Sequence, residues 1–359
     1  MTAVRVVMVM PPVTALEPSL ALDQWPTLTA TAEALRCHGE AEPVVICRTN
    51  RTESELVRDE VRYVFAPTDR RLVELVLVQR PHVVHLHGLG FTRLIARLGR
   101  QLRGAVPIVV QHHGEQLLGW RSAAGHRAVR RFIAGYLFTG AATGQGDALI
   151  ERGIVRRDAR LFEVLESASL VPPPDRGSGP AVELEGDPAI LWVGRLVASK
   201  EPVLAVEAFA LAAAAAERAQ LHLLATDRTL EPEVRLAIRA SAAVSNRIHL
   251  HEGVPRAEMA GWYSAADVYF STSRREGSNY SLIESLSFGC APVVSAIAPH
   301  RAIVGDLAPL FAPGDAATAA KLLGEATSID ADEVRRHSDT HLTWPVVVEQ
   351  LLAAYRAVS

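Results

Sequence analysis

Residues 268–296, VYFSTSRREGSNYSLIESLSFGCAPVVSA, contain the pattern that decides the fold of this chain. An apolar run at 268–272 is followed by a polar loop, a helical stretch at 281–288 and a second apolar run at 292–296. Continuous apolar runs that alternate with helices are typical of buried parallel strands with helices on both faces of the sheet. This segment therefore predicts an α/β fold built on a parallel sheet.

The same alternation continues on both sides of this segment. Before it, helical stretches near 23–38 and 67–79 separate the apolar runs Val4–Met10, Pro43–Cys47, Val83–Leu86 and Pro107–Gln111, and we expect a turn at Pro11 and Pro12. After VPPPDRGSGP at 171–180, strands at 188–193, 221–225 and 248–251 alternate with helices near 201–217, 231–243, 256–264 and 315–325. Proline and glycine at such density indicate a linker. We therefore predict two parallel α/β domains, 1–172 and 187–342, with a linker at 173–186.

The composition of the 359-residue chain is that of a globular protein. Hydrophobic residues make up 49%, charged residues 21%, and the net charge is −3, which excludes an intrinsically disordered chain. No apolar run reaches the roughly 18–20 residues of a membrane span, and we expect the first residues to form a strand rather than a signal peptide. Because Cys37, Cys47 and Cys290 form neither a CxxC pair nor an even set, we expect a cytoplasmic protein without structural zinc.

Basic residues concentrate in one part of the first domain. The stretch 76–146 contains nine arginines and a single carboxylate, Glu115, and four of these arginines lie at helical spacing: Arg93, Arg97, Arg100 and Arg103. Two interpretations remain open, an ordinary solvent-exposed helix face or a peripheral contact of the 93–131 region with an anionic acceptor or membrane. We expect no nucleic-acid partner, because the pI is about 6.5 and no basic motif with interleaved aromatic residues occurs.

Two cations follow a glycine at the end of the strand at 189–193. Arg195 and Lys200 come after Gly194 and before a helix that begins near Pro202, and Lys200 is one of only two lysines in the chain. Backbone N–H groups at a helix N-terminus favour an anion, whereas cations there are unfavourable unless an anion binds. Neither GxGxxG nor GxxxxGK[ST] occurs, which excludes the usual dinucleotide and P-loop sites. The segment therefore predicts a phosphate site.

Two carboxylates lie near the end of the strand at 268–272, separated by seven residues. Glu276 is in the loop and Glu284 is in the first turn of the next helix by sequence pattern. Each has a purely structural alternative, because Glu276 can pair with Arg274 or Arg275, and Ser281 with Glu284 matches a capping box. Ligands of parallel sheets bind beyond the carboxyl ends of the strands, so both carboxylates are expected beside Arg195 and Lys200, in the cleft between two facing domains.

This spacing resembles the E-x7-E motif of retaining glycosyltransferases of family 4, which have the GT-B fold: two Rossmann-like domains that face a central cleft. Trp192-Val-Gly-Arg195-x4-Lys200 is similar to the diphosphate-binding segment of that family, and the block that begins at Gly253-Val254-Pro255 is similar to the one leading into E-x7-E. The segments at 82–87 and 109–114 resemble two marker strands of the N-terminal domain. Trp344 before an apolar helix resembles the tail that completes the N-terminal domain, here 343–359.

The resemblance implies transfer of a sugar from a nucleoside diphosphate sugar, UDP-linked first and GDP-mannose next, to a hydroxyl of a small molecule, glycoside or lipid-linked acceptor. It implies that Arg195 and Lys200 hold the diphosphate, and that Glu284 binds the ribose hydroxyls. The backbone near Val254 would bind the base, and His113 would contact the donor sugar from the other domain. The sugar hydroxyls would be bound by Glu276 and the amides of Gly277, Ser278, Asn279 and Tyr280. No metal and no further cofactor is implied, and helix capping explains Asp330-Ala-Asp332 better than a metal site does.

The sequence departs from the family pattern at three places, and two rival functions follow. Residues 11–20 contain no glycine where many members have a Gly-Gly loop, and APHRAI at 298–303 replaces a second family loop. Ser278 and Asn279 add two polar side chains, which either contact the donor sugar or cap the helix. A non-catalytic nucleotide-sugar-binding protein, and an epimerase or hydrolase on the same scaffold, remain alternatives to a transferase.

Overall fold

The computed structural model describes residues 3–13, 17–114, 119–173 and 182–359. Residues 174–181 of the predicted linker, residues 14–16 and Glu115 lie outside the described residues. The chain forms two compact units: unit 1 comprises Met1–Ser167 with Trp344–Ser359, and unit 2 comprises Ala168–Thr343. Each unit contains one sheet with helices packed on it, as the alternation in the sequence predicts.

Strands and helices alternate along most of the described residues. The strands are β1 (Val4–Val13), β2 (Ala41–Thr49), β3 (Ser54–Arg58), β4 (Val61–Ala66), β5 (Val83–His87), β6 (Ile108–Gln111), β7 (Ile133–Phe138), β8 (Leu161–Glu163), β9 (Ala189–Gly194), β10 (Gln220–Ala225), β11 (Ile248–Glu252), β12 (Val268–Ser271) and β13 (Ala291–Val294). The helices are α1 (Pro18–Asp23), α2 (Pro26–His38), α3 (Asp69–Val78), α4 (Thr92–Leu102), α5 (Trp120–Val129), α6 (Asp147–Glu151), α7 (Pro202–Ala212), α8 (Glu231–Ala240), α9 (Met259–Ala265), α10 (Tyr280–Phe288), α11 (Ala298–Val304), α12 (Ala316–Glu325), α13 (Ala331–His341) and α14 (Trp344–Val358).

The sheet of unit 1 has the strand order β3-β4-β2-β1-β5-β6-β7-β8 in the described residues. Every neighbouring pair is parallel except β3 and β4, which are antiparallel and which the sequence analysis missed. Their connection is two residues long, and both Asp59 and Glu60 have positive φ angles, 48° and 60°. Such a turn usually contains asparagine and glycine, so Asp-Glu carries no turn signal.

The prediction of a turn at Pro11 and Pro12 is wrong, because β1 continues to Val13. The register with β2 shifts between Met10 and Val13, where β1 has one residue more than its partner. Proline cannot donate a hydrogen bond to a neighbouring strand, and a bulge is where a strand tolerates it. The two prolines therefore interrupt the hydrogen bonding without ending the strand.

The sheet of unit 2 has the strand order β11-β10-β9-β12-β13, and all its described pairs are parallel. Its buried residues Trp192, Leu223 and Phe270 pack with Phe209 of α7 and Phe311 into one core. In this order β9 and β12 are neighbours. The loops that follow these two strands, which carry the predicted phosphate cations and Glu276, therefore leave the same edge of the sheet side by side.

The basic helix is α4, and its arginines Arg93, Arg97 and Arg100 are exposed while Leu94 and Leu98 are buried. The capping interpretation of Asp330 is confirmed, because its carboxylate accepts a hydrogen bond from the backbone N–H of Asp332, 2.8 Å away, at the start of α13. Within the described ranges, the helices are all too short or too polar to cross a membrane.

Candidate functional site

The first feature of the site in unit 2 is a direct contact between Lys200 and Glu276. Nζ of Lys200 donates to Oε1 of Glu276, and the two side chains are only 16% and 9% exposed. The hydroxyl of Ser273 donates to the same carboxylate oxygen over 2.7 Å. Arg274, one of the structural partners considered for Glu276, pairs with Glu201 instead. Two residues that are 76 positions apart in sequence and were predicted to act together thus form one ion pair.

The backbone around Lys200 is held by the loop that follows β12. The hydroxyl of Thr272 donates to the carbonyl oxygens of Lys200 and Glu201, both 2.9 Å away. The N–H of Arg274 donates to the carbonyl of Ser199 over 2.9 Å. Residues 198–200 form a short 3-10 turn, and α7 begins at Pro202, where the sequence predicts a helix start. The position of the ammonium group is therefore defined by both loops.

Arg195 lies at the end of β9 with its side chain exposed to solvent. Its loop is fixed through the backbone, because Leu196 donates to the carbonyl of Asp227 over 2.6 Å and accepts from Leu230 over 2.8 Å. No described residue forms a hydrogen bond or ion pair with the Arg195 guanidinium group. A guanidinium group can donate two parallel hydrogen bonds to phosphoryl oxygens, so this side chain is available to an anion.

Glu284 is buried in α10 and makes two polar contacts. Its Oε1 accepts from Nη1 of Arg256 at 2.8 Å, and its Oε2 accepts from the hydroxyl of Tyr263 at 2.9 Å. Burial raises the pKa of Glu284, while the Arg256 charge and the Tyr263 hydrogen bond oppose that rise. The capping-box interpretation is wrong, because α10 begins at Tyr280 and its N-cap is Asn279, so Glu284 lies in the second turn. Sequence reasoning missed Arg256 and Tyr263, which no spacing rule connects to Glu284.

Asn279 adopts a left-handed backbone conformation, with φ of 74°, and its side chain is almost completely buried. Its amide oxygen accepts from the Tyr269 hydroxyl at 3.1 Å and from the N–H of Leu282 at 3.3 Å. Its amide nitrogen donates to Nε2 of His300 at 2.9 Å and to the Ser271 hydroxyl at 3.3 Å. The side chain caps the helix, which is one of the two open interpretations, and a contact of Asn279 with the donor sugar stays a prediction.

The other predicted donor contacts lie in the same loops of unit 2. Ser278 is 2% exposed, and its hydroxyl has no hydrogen-bonding partner among the described residues. Gly277 belongs to the loop before α10, and Tyr280 is the first residue of that helix. Val254 is half-buried in the loop after β11, next to Gly253. A Cβ at Gly253 would lie 2.5 Å from Cγ2 of Thr226, so glycine permits the close approach of these two loops.

His113 belongs to unit 1 and follows β6. Its Nδ1 lies 2.8 Å from Oε2 of Glu166, and its Nε2 lies 3.1 Å from Nδ1 of His87. Glu166, which follows β8, is 3% exposed, and the His113 side chain is 19% exposed. Sequence reasoning did not single out Glu166, because it matches no motif. The proposed contact of His113 with a donor sugar stays a prediction.

Metal ligands and a metal site were not predicted from the sequence. In the part of the chain that the structure describes, no three His, Cys, Asp or Glu side chains are arranged to hold a metal ion. The only Asp-x-Asp segment that the sequence analysis considered, at 330–332, forms the helix cap described above.

Comparison with known proteins finds one matching family model and several solved structures of the same fold. Residues 187–327 match the family model described as Glycosyl transferases group 1. No curated protein matches the chain. A glycosyltransferase from Rickettsia africae is similar at 12% identity and a TM-score of 0.71, covering 100% of this chain and 99% of that chain. The chain has the GT-B fold.

Two further solved structures are similar over the same extent. Sucrose-phosphate synthase from Thermosynechococcus elongatus shares 17% identity with a TM-score of 0.65, covering 99% of this chain and 98% of that one. An Anabaena protein solved in complex with UDP and glucose shares 12% identity with a TM-score of 0.68, covering 99% and 100%. The fold expected from the E-x7-E resemblance is therefore confirmed.

Proposed function

We propose that this protein is a retaining, metal-independent glycosyltransferase. It transfers a hexosyl or N-acetylhexosaminyl group from a nucleoside diphosphate sugar, a UDP-sugar first, to a hydroxyl group of an acceptor. The observation that carries the proposal is the contact between Lys200 and Glu276, together with the exposed Arg195 in the same loop as Lys200. The family match over 187–327 and the UDP complexes among proteins of this fold support it.

Arg195 and Lys200 bind the diphosphate in this proposal. An ammonium group has three N–H donors, and the Lys200 contact with Glu276 uses one of them, which leaves two for phosphoryl oxygens. The guanidinium group of Arg195 adds a second fixed positive charge. Because both charges are in place before the reaction, they stabilise the negative charge that develops on the departing diphosphate without further reorganisation.

Glu284 binds the ribose hydroxyls of the donor. A carboxylate has about four lone-pair positions, and Arg256 and Tyr263 occupy two of them. Arg256 and Tyr263 also fix the orientation of the carboxylate, so that its remaining positions have a defined direction. The backbone at Val254 faces the base, and the amides of Gly277 to Tyr280 bind the sugar together with Glu276.

The chemistry that suits these residues is front-face departure and attack. The anomeric C–O bond to the diphosphate breaks, the acceptor hydroxyl adds on the same face, and a phosphate oxygen of the leaving group takes the hydroxyl proton. Glu276, already paired with Lys200, orients the sugar hydroxyls rather than acting as a nucleophile. The product therefore keeps the anomeric configuration of the donor.

The first test is a thermal-shift titration with UDP, GDP, ADP and dTDP. A nucleotide at about 100 times its Kd stabilises the folded protein by roughly 2.7 kcal/mol, which is an easily measured shift. We expect UDP to stabilise the wild type, and Lys200→Met and Glu284→Gln to abolish most of the shift. Lys321→Met is the matched control, because Lys321, the only other lysine, is 72% exposed on α12. The proposed donor site is wrong if no nucleotide binds, or if Lys200→Met and Lys321→Met bind UDP equally.

The second test measures turnover of UDP-glucose and UDP-N-acetylglucosamine with a panel of sugars, sugar phosphates and lipid-linked alcohols. We expect UDP release to depend on an acceptor, to persist with EDTA, and to give a product with the anomeric configuration of the donor. Binding without turnover identifies a nucleotide-sugar-binding protein instead. Free sugar or an isomerised donor, formed without an acceptor, identifies a hydrolase or an epimerase.

The acceptor side includes a peripheral contact with an anionic membrane in this proposal. The exposed arginines of α4 lie on a helix whose apolar residues are already buried in unit 1, and Arg97 is 3.4 Å from Asp69. Binding by such a surface is electrostatic, so it weakens as salt rises and the screening length becomes shorter. Co-sedimentation with phosphatidylglycerol vesicles, but not with phosphatidylcholine vesicles, is expected at low salt. Salt-independent activity without vesicle binding would exclude the membrane contact.

A further inference from the structure

A row of buried polar side chains runs through unit 1 to His113. The hydroxyl of Tyr355 on α14 lies 2.8 Å from Nδ1 of His85, and the rings of His85 and His87 lie 4.1 Å apart. His87 then contacts His113, which contacts Glu166, over 3.1 and 2.8 Å. Tyr355, His85, His87 and Glu166 are all nearly inaccessible to solvent. The link between His85 and His87 is a ring contact, whereas hydrogen bonds join His87, His113 and Glu166, and burial makes those bonds costly to lose.

The chemistry of the donors and acceptors sets the direction of these hydrogen bonds. A carboxylate only accepts, so Nδ1 of His113 must carry the proton that it donates to Glu166. In neutral His113, Nε2 then has the lone pair, and Nδ1 of His87 must be the donor to it. His87 stays neutral, because burial and the adjacent His85 and His113 hold its pKa well below the ordinary value. Both histidines are therefore in the Nδ1–H tautomer.

We propose that Glu166 is a positioning residue for His113. It fixes the ring and its tautomer, so that Nε2 of His113 is a hydrogen-bond acceptor for a substrate hydroxyl, which binds in exchange for the bond from His87. His113 is the accessible member of the pair, since its side chain is 19% exposed while His87 is 1% exposed. The identity of that hydroxyl as one of the donor sugar rests on the proposed function; the orientation of His113 does not.

A neutral imidazole has one donor and one acceptor nitrogen, and the wrong tautomer would present an N–H where an acceptor is needed. A carboxylate behind the ring excludes that tautomer. It also holds the ring in place, in the way that a buried carboxylate orients a histidine in hydrolytic triads, while the proton of the acceptor hydroxyl goes to the departing diphosphate. Glu166 never touches the substrate in this arrangement, and its effect passes through His113.

The experiment compares the tautomers of His113 and His87 by long-range ¹H–¹⁵N NMR of histidine-labelled protein in wild type, Glu166→Gln and Glu163→Gln. Glutamine keeps the size of Glu166 but can donate as well as accept, so we expect both rings to shift together toward the Nε2–H tautomer. Glu163→Gln is the matched control, because Glu163 is an exposed carboxylate at the end of β8 that binds the N–H of Ala142. We expect no tautomer change in it. Glu166→Asp restores a carboxylate and is expected to restore the wild-type tautomer at least in part.

The kinetic arm uses UDP release from UDP-glucose in the presence of acceptor. We expect Glu166→Gln to lower kcat by roughly 10-fold or more, because the substrate is less well oriented, while UDP still shifts the melting temperature as in wild type. A wild-type His113 in the Nε2–H form, an unchanged tautomer in Glu166→Gln, or an unchanged kcat in that variant would each overturn the positioning role. If no variant and no wild-type protein turns over any donor, the proposed function has failed, and the NMR result alone decides whether Glu166 positions His113.

Discussion

The side chain of Asn279 offers a quantitative test of how the loop carrying Glu276 is held. It combines an N-cap, a left-handed backbone and four hydrogen bonds to buried groups. Asn279→Gly removes the side chain but leaves a residue that adopts the left-handed backbone without strain. Asn279→Ala removes the same polar groups and also forces a Cβ into the left-handed region. The difference between the two variants therefore isolates the cost of the backbone conformation.

The expected loss of stability follows from the partners that remain. Glycine replaces an N-cap at a cost of only a few tenths of a kcal/mol. The Tyr269 hydroxyl and Nε2 of His300 are left buried without that partner, at about 1–3 kcal/mol each. Water that enters the space replaces part of the lost hydrogen bonding, so the loss is smaller than the sum of these costs. We therefore expect Asn279→Gly to lower the free energy of unfolding by roughly 2–4 kcal/mol. Asn279→Ala should lose about 1–2 kcal/mol more, because alanine is strained at positive φ.

The assay is urea unfolding at pH 8, followed by circular dichroism and tryptophan fluorescence. Asp315→Gly is a matched control in the same unit, because Asp315 caps α12 through the N–H and hydroxyl of Thr318 without a buried ring behind it. It should cost less than about 1 kcal/mol. The reasoning is refuted if Asn279→Gly is as stable as Asp315→Gly, or if Asn279→Ala is no less stable than Asn279→Gly.

Three further predictions concern other parts of the two units. Gly253→Ala should lower the free energy of unfolding by about 1–3 kcal/mol, since the new Cβ would lie 2.5 Å from Cγ2 and 3.1 Å from Cα of Thr226; urea unfolding measures this. Lys200→Met should cost roughly 3 kcal/mol in the same assay, because it leaves the buried Glu276 carboxylate without its ammonium partner. Burial lowers the pKa of His85 to about 3, whereas an unfolded histidine titrates near pH 6.5. Below pH 6.5 the unfolded state therefore binds more protons than the folded state, so the urea concentration at the unfolding midpoint should be lower at pH 4.5 than at pH 7. This decrease should be smaller in His85→Asn.

Each of these predictions has a control and an outcome that contradicts it. Gly90→Ala places a Cβ in open space, and a loss as large as that of Gly253→Ala would exclude steric strain as the cause. Adding Glu276→Gln to Lys200→Met should recover part of the lost stability, and an additive loss would show that the ion pair is not the origin. The exposed His82 is the control for acid lability. If His82→Asn changes the pH dependence of stability as much as His85→Asn does, burial of His85 is not the cause of the loss of stability in acid.

The strand-and-helix alternation of both units was predictable because it depends on local patterns. Buried parallel strands are continuous apolar runs, so β9 was expected at 188–193 and lies at Ala189–Gly194, and β12 was expected at 268–272 and lies at Val268–Ser271. The exceptions include β3, β4, β7 and β8, none of which the sequence analysis placed. β3 is half-exposed and is joined to β4 by Asp59-Glu60, which carries no turn signal, and β1 passes through two prolines by means of a bulge.

The position of Lys200 near Glu276 was also predictable in outline, because both residues follow strands of one parallel sheet. The sequence order alone does not state that β9 and β12 are neighbours, nor that Thr272 holds the backbone at Lys200. The same limit applies to Glu284. Its interaction partners Arg256 and Tyr263 are 28 and 21 residues away and come from a different loop and helix.

The sequence by itself determined the fold class, the residues at the strand ends and the chemical character of each candidate site. Those properties depend on hydrophobic periodicity and side-chain type, which are local. Only the tertiary structure decided which polar groups pair: Lys200 with Glu276, Asn279 with His300, and Glu166 with His113. These pairs form because burial makes an unpaired polar group costly, and the available partner is set by which loops leave the same edge of a sheet.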